Sequence, residues 1–181
     1  MKKFVEKLKY LEEKYKEKYM KNEEEISNLR NKKYFTLSEL KKIMEWKNPF
    51  YRTKKNSENN REEKVKKITS ECFEKLKNRE DDASTIKSVL NSLKKLEGVG
   101  ISVASAILMV YNPEKFTPID WRVWNALFLL CELDRPYPKN LKKDDYIEYL
   151  KACRKLARKL NIDLRTLDRA LWTASKKYCD C

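Results

Sequence analysis

The chain has no histidine and only two glycines among its 181 residues. Without imidazole there is no histidine general base and no Ser-His or Cys-His nucleophile pair, and most catalytic zinc sites are excluded as well. Two glycines leave no room for a dinucleotide-binding GxGxxG or a Walker phosphate loop. Long apolar runs are missing too. The longest uncharged one, residues 101–111, spans about 17 Å as a helix against about 30 Å of hydrocarbon core, so it cannot cross a bilayer. The opening MKKFVEKLKYLEEKY mixes acids and bases and has no apolar stretch of the signal-peptide kind. Five cysteines, Cys72, Cys131, Cys153, Cys179 and Cys181, make an odd and scattered set. That suits a reducing compartment better than a secreted disulfide framework. The expectation is a cytoplasmic protein with no membrane association, whose chemistry draws on carboxylates, lysines, hydroxyls, thiols or backbone dipoles.

What the chain has in abundance is positive charge. Lys and Arg number 42 against 28 Asp and Glu, for a formal net charge of +14. The excess is nine up to residue 80 and five beyond it, so it is spread through the chain and is no basic tail. Such a surface attracts polyanions, nucleic acid being the commonest, although a Lys/Glu-rich solvated surface has the same composition. The length suits a single domain over 1–181, folded as one body or as two closely packed lobes. At this size roughly 70% of the unfolded surface is buried on folding, so neither disulfide nor metal is required.

The apolar periodicity is helical almost throughout. Phe4, Leu8, Leu11, Tyr15 and Tyr19 recur at spacings of three and four, which predicts one apolar stripe on a charged helix. Thr36-Leu37-Ser38-Glu39 reads as a capping box opening a helix to about Trp46, closed by Asn48-Pro49. Polar residues to Asn60 follow as a loop. Further helices are expected at 61–77, after Asp81-Asp82, at 101–111, at 120 to about 133, at 144–160 and at 163–177. No strand-like alternation of useful length is present. The fold class is all-α, with nine or ten helices.

Both glycines fall in Leu96-Glu97-Gly98-Val99-Gly100. A chain that excludes glycine elsewhere is expected to need both for backbone reasons, allowing positive φ and close approach by another group in a tight turn between two helices. The second helix would begin with free N–H groups at Gly100, Ile101 and Ser102, a seat for phosphate, with Lys94 and Lys95 adding charge. A helix–helix turn that merely packs is the plainer alternative. Twenty residues on, Thr117-Pro118-Ile119-Asp120-Trp121-Arg122 places Asp120 as the N-cap of an apolar helix.

The hairpin, the apolar Ala104 to Leu108 and Pro118-Ile119-Asp120 together resemble the helix-hairpin-helix and loop aspartate of the HhH-GPD DNA glycosylases. The resemblance covers roughly residues 93 to 127, with the helix-hairpin-helix at about 84–111. It implies a two-lobed helical fold with a cleft, gripping double-stranded DNA as a monomer. It assigns phosphate binding to Gly98, Val99, Gly100 and Ser102, with a monovalent cation often held by hairpin carbonyls. It assigns catalysis to Asp120, facing a flipped nucleotide. A fixed carboxylate in a dry pocket stabilises positive charge on the sugar and can orient the attacking water.

The chain also departs from that family. Ser102 stands where bifunctional members carry a Schiff-base lysine, so no β-lyase activity is expected. Only Cys179 and Cys181 remain of a four-cysteine cluster motif, so no iron–sulfur cluster and no other metal is expected. Arg122 stands where the family often has histidine. Secondary candidates lie in the segment from Glu45 to Arg52. Asn48, Phe50 or Tyr51 would serve as a wedge in the base stack, with Lys47, Arg52, Lys54 and Lys55 on phosphates; an aromatic anchor beside a solvated loop is the alternative. Glu39 or Glu45 would be a second acid, although capping accounts for Glu39. Of Trp121 and Trp124, at least one is expected in the core, and one walls a base pocket. The function expected is a monofunctional glycosylase, with a non-catalytic DNA-binding protein as the alternative and a helical protein–protein module as a third.

Overall fold

The helix caps read from the sequence recur in the computed structural model, which describes residues 2–48 and 59–179, with side chains throughout except at 21, 22 and 176–179. Eight α-helices are present among the described residues and no strand: α1 Lys2–Ser27, α2 Leu37–Lys47, α3 Glu62–Leu76, α4 Ala83–Leu93, α5 Ile101–Tyr111, α6 Trp121–Leu129, α7 Lys143–Leu160 and α8 Leu164–Cys179. The protein is all-α. At α2 the capping box closes as expected, with Thr36 Oγ1 accepting from the Glu39 N–H at 3.2 Å and Glu39 Oε2 accepting from the Thr36 N–H at 2.8 Å. At α4 the Asp82 carboxylate accepts from the Ser84 and Thr85 N–H groups. Each such cap contributes about 1 kcal/mol.

One helix is shorter than its periodicity predicts. Apolar periodicity predicts helix from 120 to about 133, but α6 stops at Leu129. Cys131 takes a left-handed φ of 56°, its N–H donates to the Phe128 carbonyl, and the Glu132 N–H reaches back to the Leu127 carbonyl. This is a Schellman ending, with cysteine where glycine is usual, and apolar periodicity alone does not reveal it. Asn161, at φ 52°, ends α7 in the same way.

The apolar helix α5 is enclosed on every side. All of residues 101–110 are buried apart from Ser102, as a helix without a polar face requires. α2 and α4 pack against it, and α7 lies against α4, α5, α6 and α8. α8 packs along α1 and across α6. The α1–α8 seam is polar as well as apolar. Tyr15 and Tyr19 set their rings against Trp172 at 5.6 and 5.0 Å, while Glu12 and Glu23 meet Arg165 and Arg169 in buried ion pairs. Among the described residues no helix is long and apolar enough to cross a membrane.

Candidate functional site

The segment between α4 and α5 is a tight turn in which the Leu96 carbonyl accepts from the Val99 N–H at 3.2 Å. Gly98 occupies the third position with φ 78°, where a type II turn needs positive φ and so favours glycine. The turn is clamped from outside. Asn60 is buried and accepts from the Glu97 N–H at 2.9 Å while donating to the Glu97 carbonyl at 3.0 Å.

Of the two reasons expected for the glycines, positive φ and close approach by another group, Gly100 has no need of the first. Its φ of −86° and ψ of −177° suit any residue, and a Cβ placed there would meet nothing within 4 Å. What the missing side chain leaves is open space at the N-cap of α5, a helix with no side-chain cap. Lys94 and Lys95 are exposed on the turn before it. Val99 is buried and Ser102 half-buried.

The loop leading to Asp120 is tied down residue by residue. The Tyr146 hydroxyl donates to the Thr117 carbonyl and the Tyr149 hydroxyl to the Pro118 carbonyl, both at 3.2 Å. Burial pushes both phenols above their ordinary pKa, which keeps them neutral donors. The Ile119 N–H donates to Ser105 Oγ at 2.9 Å, and that hydroxyl donates to the Ser102 carbonyl at 2.7 Å. One serine on α5 therefore fixes the residue before Asp120 to the first turn of the hairpin's second helix.

Asp120 caps α6 as its position predicts, with Oδ1 accepting from the Arg122 N–H at 2.9 Å. Its Oδ2 meets Lys47 Nζ, from the last turn of α2, at 3.3 Å. This corrects the placement of Lys47. The sequence suggests a phosphate contact, but the Lys47 side chain is only 7% exposed and its ammonium faces the Asp120 carboxylate. A second carboxylate feels the charge of both groups. Asp168, on α8, is buried and ion-paired with Arg165. Burial pushes its carboxyl up to about 6, with Arg165 and Lys47 opposing that rise and Asp120 and Glu23 adding to it. The Arg165 guanidinium in turn lies 5.8 Å from the centre of the Trp46 ring.

The two tryptophans separate. Trp124 is fully buried, donates its indole N–H to the Arg135 carbonyl at 2.9 Å and stacks on Tyr149, so it belongs to the core and cannot wall an open pocket. Trp121, beside Asp120, is 39% exposed. The Arg122 guanidinium packs between Trp121 and Trp172, at 4.4 and 5.3 Å from their ring centres. Glu45 is exposed and Asn48 half-buried at the end of α2. Glu39 is occupied by its capping bond and by Lys32. Phe50, Tyr51, Arg52, Lys54, Lys55 and Cys181 lie outside the described residues, as does the side chain of Cys179. No group of three or more His, Cys, Asp or Glu side chains is placed to hold a metal among the described residues.

Sequence reasoning missed Asp168, Asn60, Ser105 and the two loop-anchoring tyrosines. For Asp168 a signal was present, since it shares the apolar face of Leu164, Leu167 and Leu171 at helical spacing. The geometry defines an all-α protein in which an uncapped hairpin helix and a lysine-paired aspartate are braced against one another. Compared with known protein families, curated proteins and solved structures, the chain has no match.

Proposed function

We propose that the protein is a monofunctional DNA glycosylase of the two-lobed HhH-GPD kind, hydrolysing the N-glycosidic bond of a damaged or mismatched base in duplex DNA. The observation that carries this reading is the Ser105 hydroxyl, which joins Ser102 of the hairpin to Ile119 beside Asp120. A backbone phosphate seated on the amides of Gly100, Ile101 and Ser102 would thereby stand in a fixed relation to the Asp120 carboxylate. As the base leaves, positive charge develops on the deoxyribose and Asp120 stabilises it. The same carboxylate orients the attacking water. Lys94 and Lys95 add sequence-independent attraction for DNA, and a monovalent cation on hairpin carbonyls would add more.

Incubation with duplexes that each carry one lesion (uracil, a G·T mismatch, 8-oxoguanine or an alkylated purine), followed by alkali, tests the reading. At least one duplex should break after alkali. Binding of DNA with no break on any of them would favour the non-catalytic alternative.

The two glycines make opposite predictions. Gly98→Ala forces a side chain into positive φ and should cost about 1–2 kcal/mol of stability. Gly100→Ala should leave stability unchanged or slightly raised, yet weaken DNA binding, because the new methyl group occupies the space a phosphate would use. Chemical denaturation and DNA titration of both variants check this. Equal DNA affinity for Gly100→Ala and the parent would count against the phosphate seat.

The position of Lys47 favours one second reading. An amine 3.3 Å from Asp120 can pass its proton to that carboxylate, attack C1′ of an abasic sugar and expel water as an imine forms. Cyanoborohydride added to the protein on a duplex with a preformed abasic site would then trap a covalent adduct that Lys47→Met loses. No adduct with the parent protein leaves hydrolysis alone.

A further inference from the structure

On α8, Asp168 has one carboxyl oxygen in the ion pair with Arg165, while its Oδ1 is enclosed without a hydrogen-bond partner. The groups facing it are Arg165 on its own helix, Glu23 and Tyr15 on α1, Lys47 on α2, Asp120 at the start of α6, and Tyr149 and Cys153 on α7. Lys47 is buried and already held by Asp120. The ammonium paired with Asp120 is thus also within electrostatic reach of the Asp168 carboxyl on another helix, in surroundings where water screens little.

We infer that Asp168 is a positioning residue for Asp120, acting by competing with it for the Lys47 ammonium. With a proton on Asp168, Lys47 pairs with Asp120 alone and neutralises much of its charge. With Asp168 ionised, its unpartnered Oδ1 draws on Lys47, and Asp120 keeps more of its negative charge for the sugar. Burial lifts the Asp168 carboxyl to about 6, so the change falls just below neutrality. The consequence for catalysis rests on the glycosylase reading, under which base release rises as pH increases through about 6. The coupling itself does not depend on that reading.

The test follows the Asp120 carboxyl carbon by NMR in protein isotope-labelled at its aspartate carboxyls, from about pH 4 to about pH 8, with Asp120→Asn assigning the signal. The Asp120 resonance should show a step near the Asp168 midpoint that is lost in Asp168→Asn and displaced in Asp168→Glu. A flat signal in the parent, or a step unchanged in Asp168→Asn, overturns the inference. Should Asp168→Asn not fold, Lys47→Met carries the test, because coupling through Lys47 requires the step to shrink there. A step of full size in Lys47→Met overturns the inference as well. Base release followed over the same pH range separates the two ideas. A step without base release supports the coupling and counts against the glycosylase reading, whereas base release without a step does the reverse.

Discussion

Asp120→Asn should lower base release by roughly 10²–10⁴-fold, the range that a positioned catalytic group supplies. Duplex affinity should change by less than about twofold, since the proposed phosphate seat lies elsewhere, on the hairpin. Asparagine is the informative substitution because its amide oxygen can still accept the Arg122 N–H that caps α6, so the helix keeps its start. The charge disappears, and with it the ion pair to Lys47. Alanine would remove the cap as well, costing about 1 kcal/mol of stability and mixing two effects. Single-turnover base release and equilibrium DNA binding, measured on the same preparation, separate them. Unchanged product formation by Asp120→Asn would refute the assignment.

The second large effect concerns stability. Arg169→Met should destabilise the fold at neutral pH by up to about 3–5 kcal/mol, because it leaves buried Glu12 with Lys16 and buried Glu23 with Arg165 in place of a shared guanidinium. Arg169 bonds Glu12 at 3.1 Å and Glu23 at 2.7 Å, and all three side chains are buried. Burial alone would raise the Glu23 carboxyl, but Arg165 and Arg169 outweigh it and hold the group below its ordinary pKa. A carboxylate depressed in this way stabilises the fold above its unfolded pKa, and that contribution is lost as pH falls through the folded value. The deficit of Arg169→Met should therefore be largest at neutral pH and shrink on acidification, as Glu23 takes up a proton. Urea denaturation of parent and variant at neutral pH and near pH 4 measures this. An equal deficit at both values would mean that Arg169 acts through packing and not through charge.

Local chemistry accounts for what the sequence makes legible. The bounds of α5, the capping box of α2 and the caps at Asp82 and Asp120 follow from neighbours within four residues. The two glycines mark the turn, although only Gly98 is required by its dihedral angle. Long-range pairings carry no such signature. Lys47 and Asp120 lie 73 positions apart, and Arg169 lies 146 from Glu23. Nothing in a basic residue before Asn48-Pro49 distinguishes a phosphate contact from the partner of a buried aspartate. Trp121 and Trp124 have equal claims in sequence, and only the packing of α6 against α7 and α8 sends one inside. The early end of α6 depends on Cys131 accepting a conformation that favours glycine.

The claim beneath all of this is that the Asp120 carboxylate faces the sugar from which a base departs while the hairpin holds the adjoining phosphate. It can be tested without knowing the base. A duplex carrying one cationic pyrrolidine in place of a deoxyribose mimics the charge of the departing state, and a neutral tetrahydrofuran at the same position is the control. The parent protein should bind the cationic duplex at least about 10²-fold more tightly than the neutral one, and Asp120→Asn should erase that preference. Equal affinity of the parent protein for the two duplexes would contradict the account.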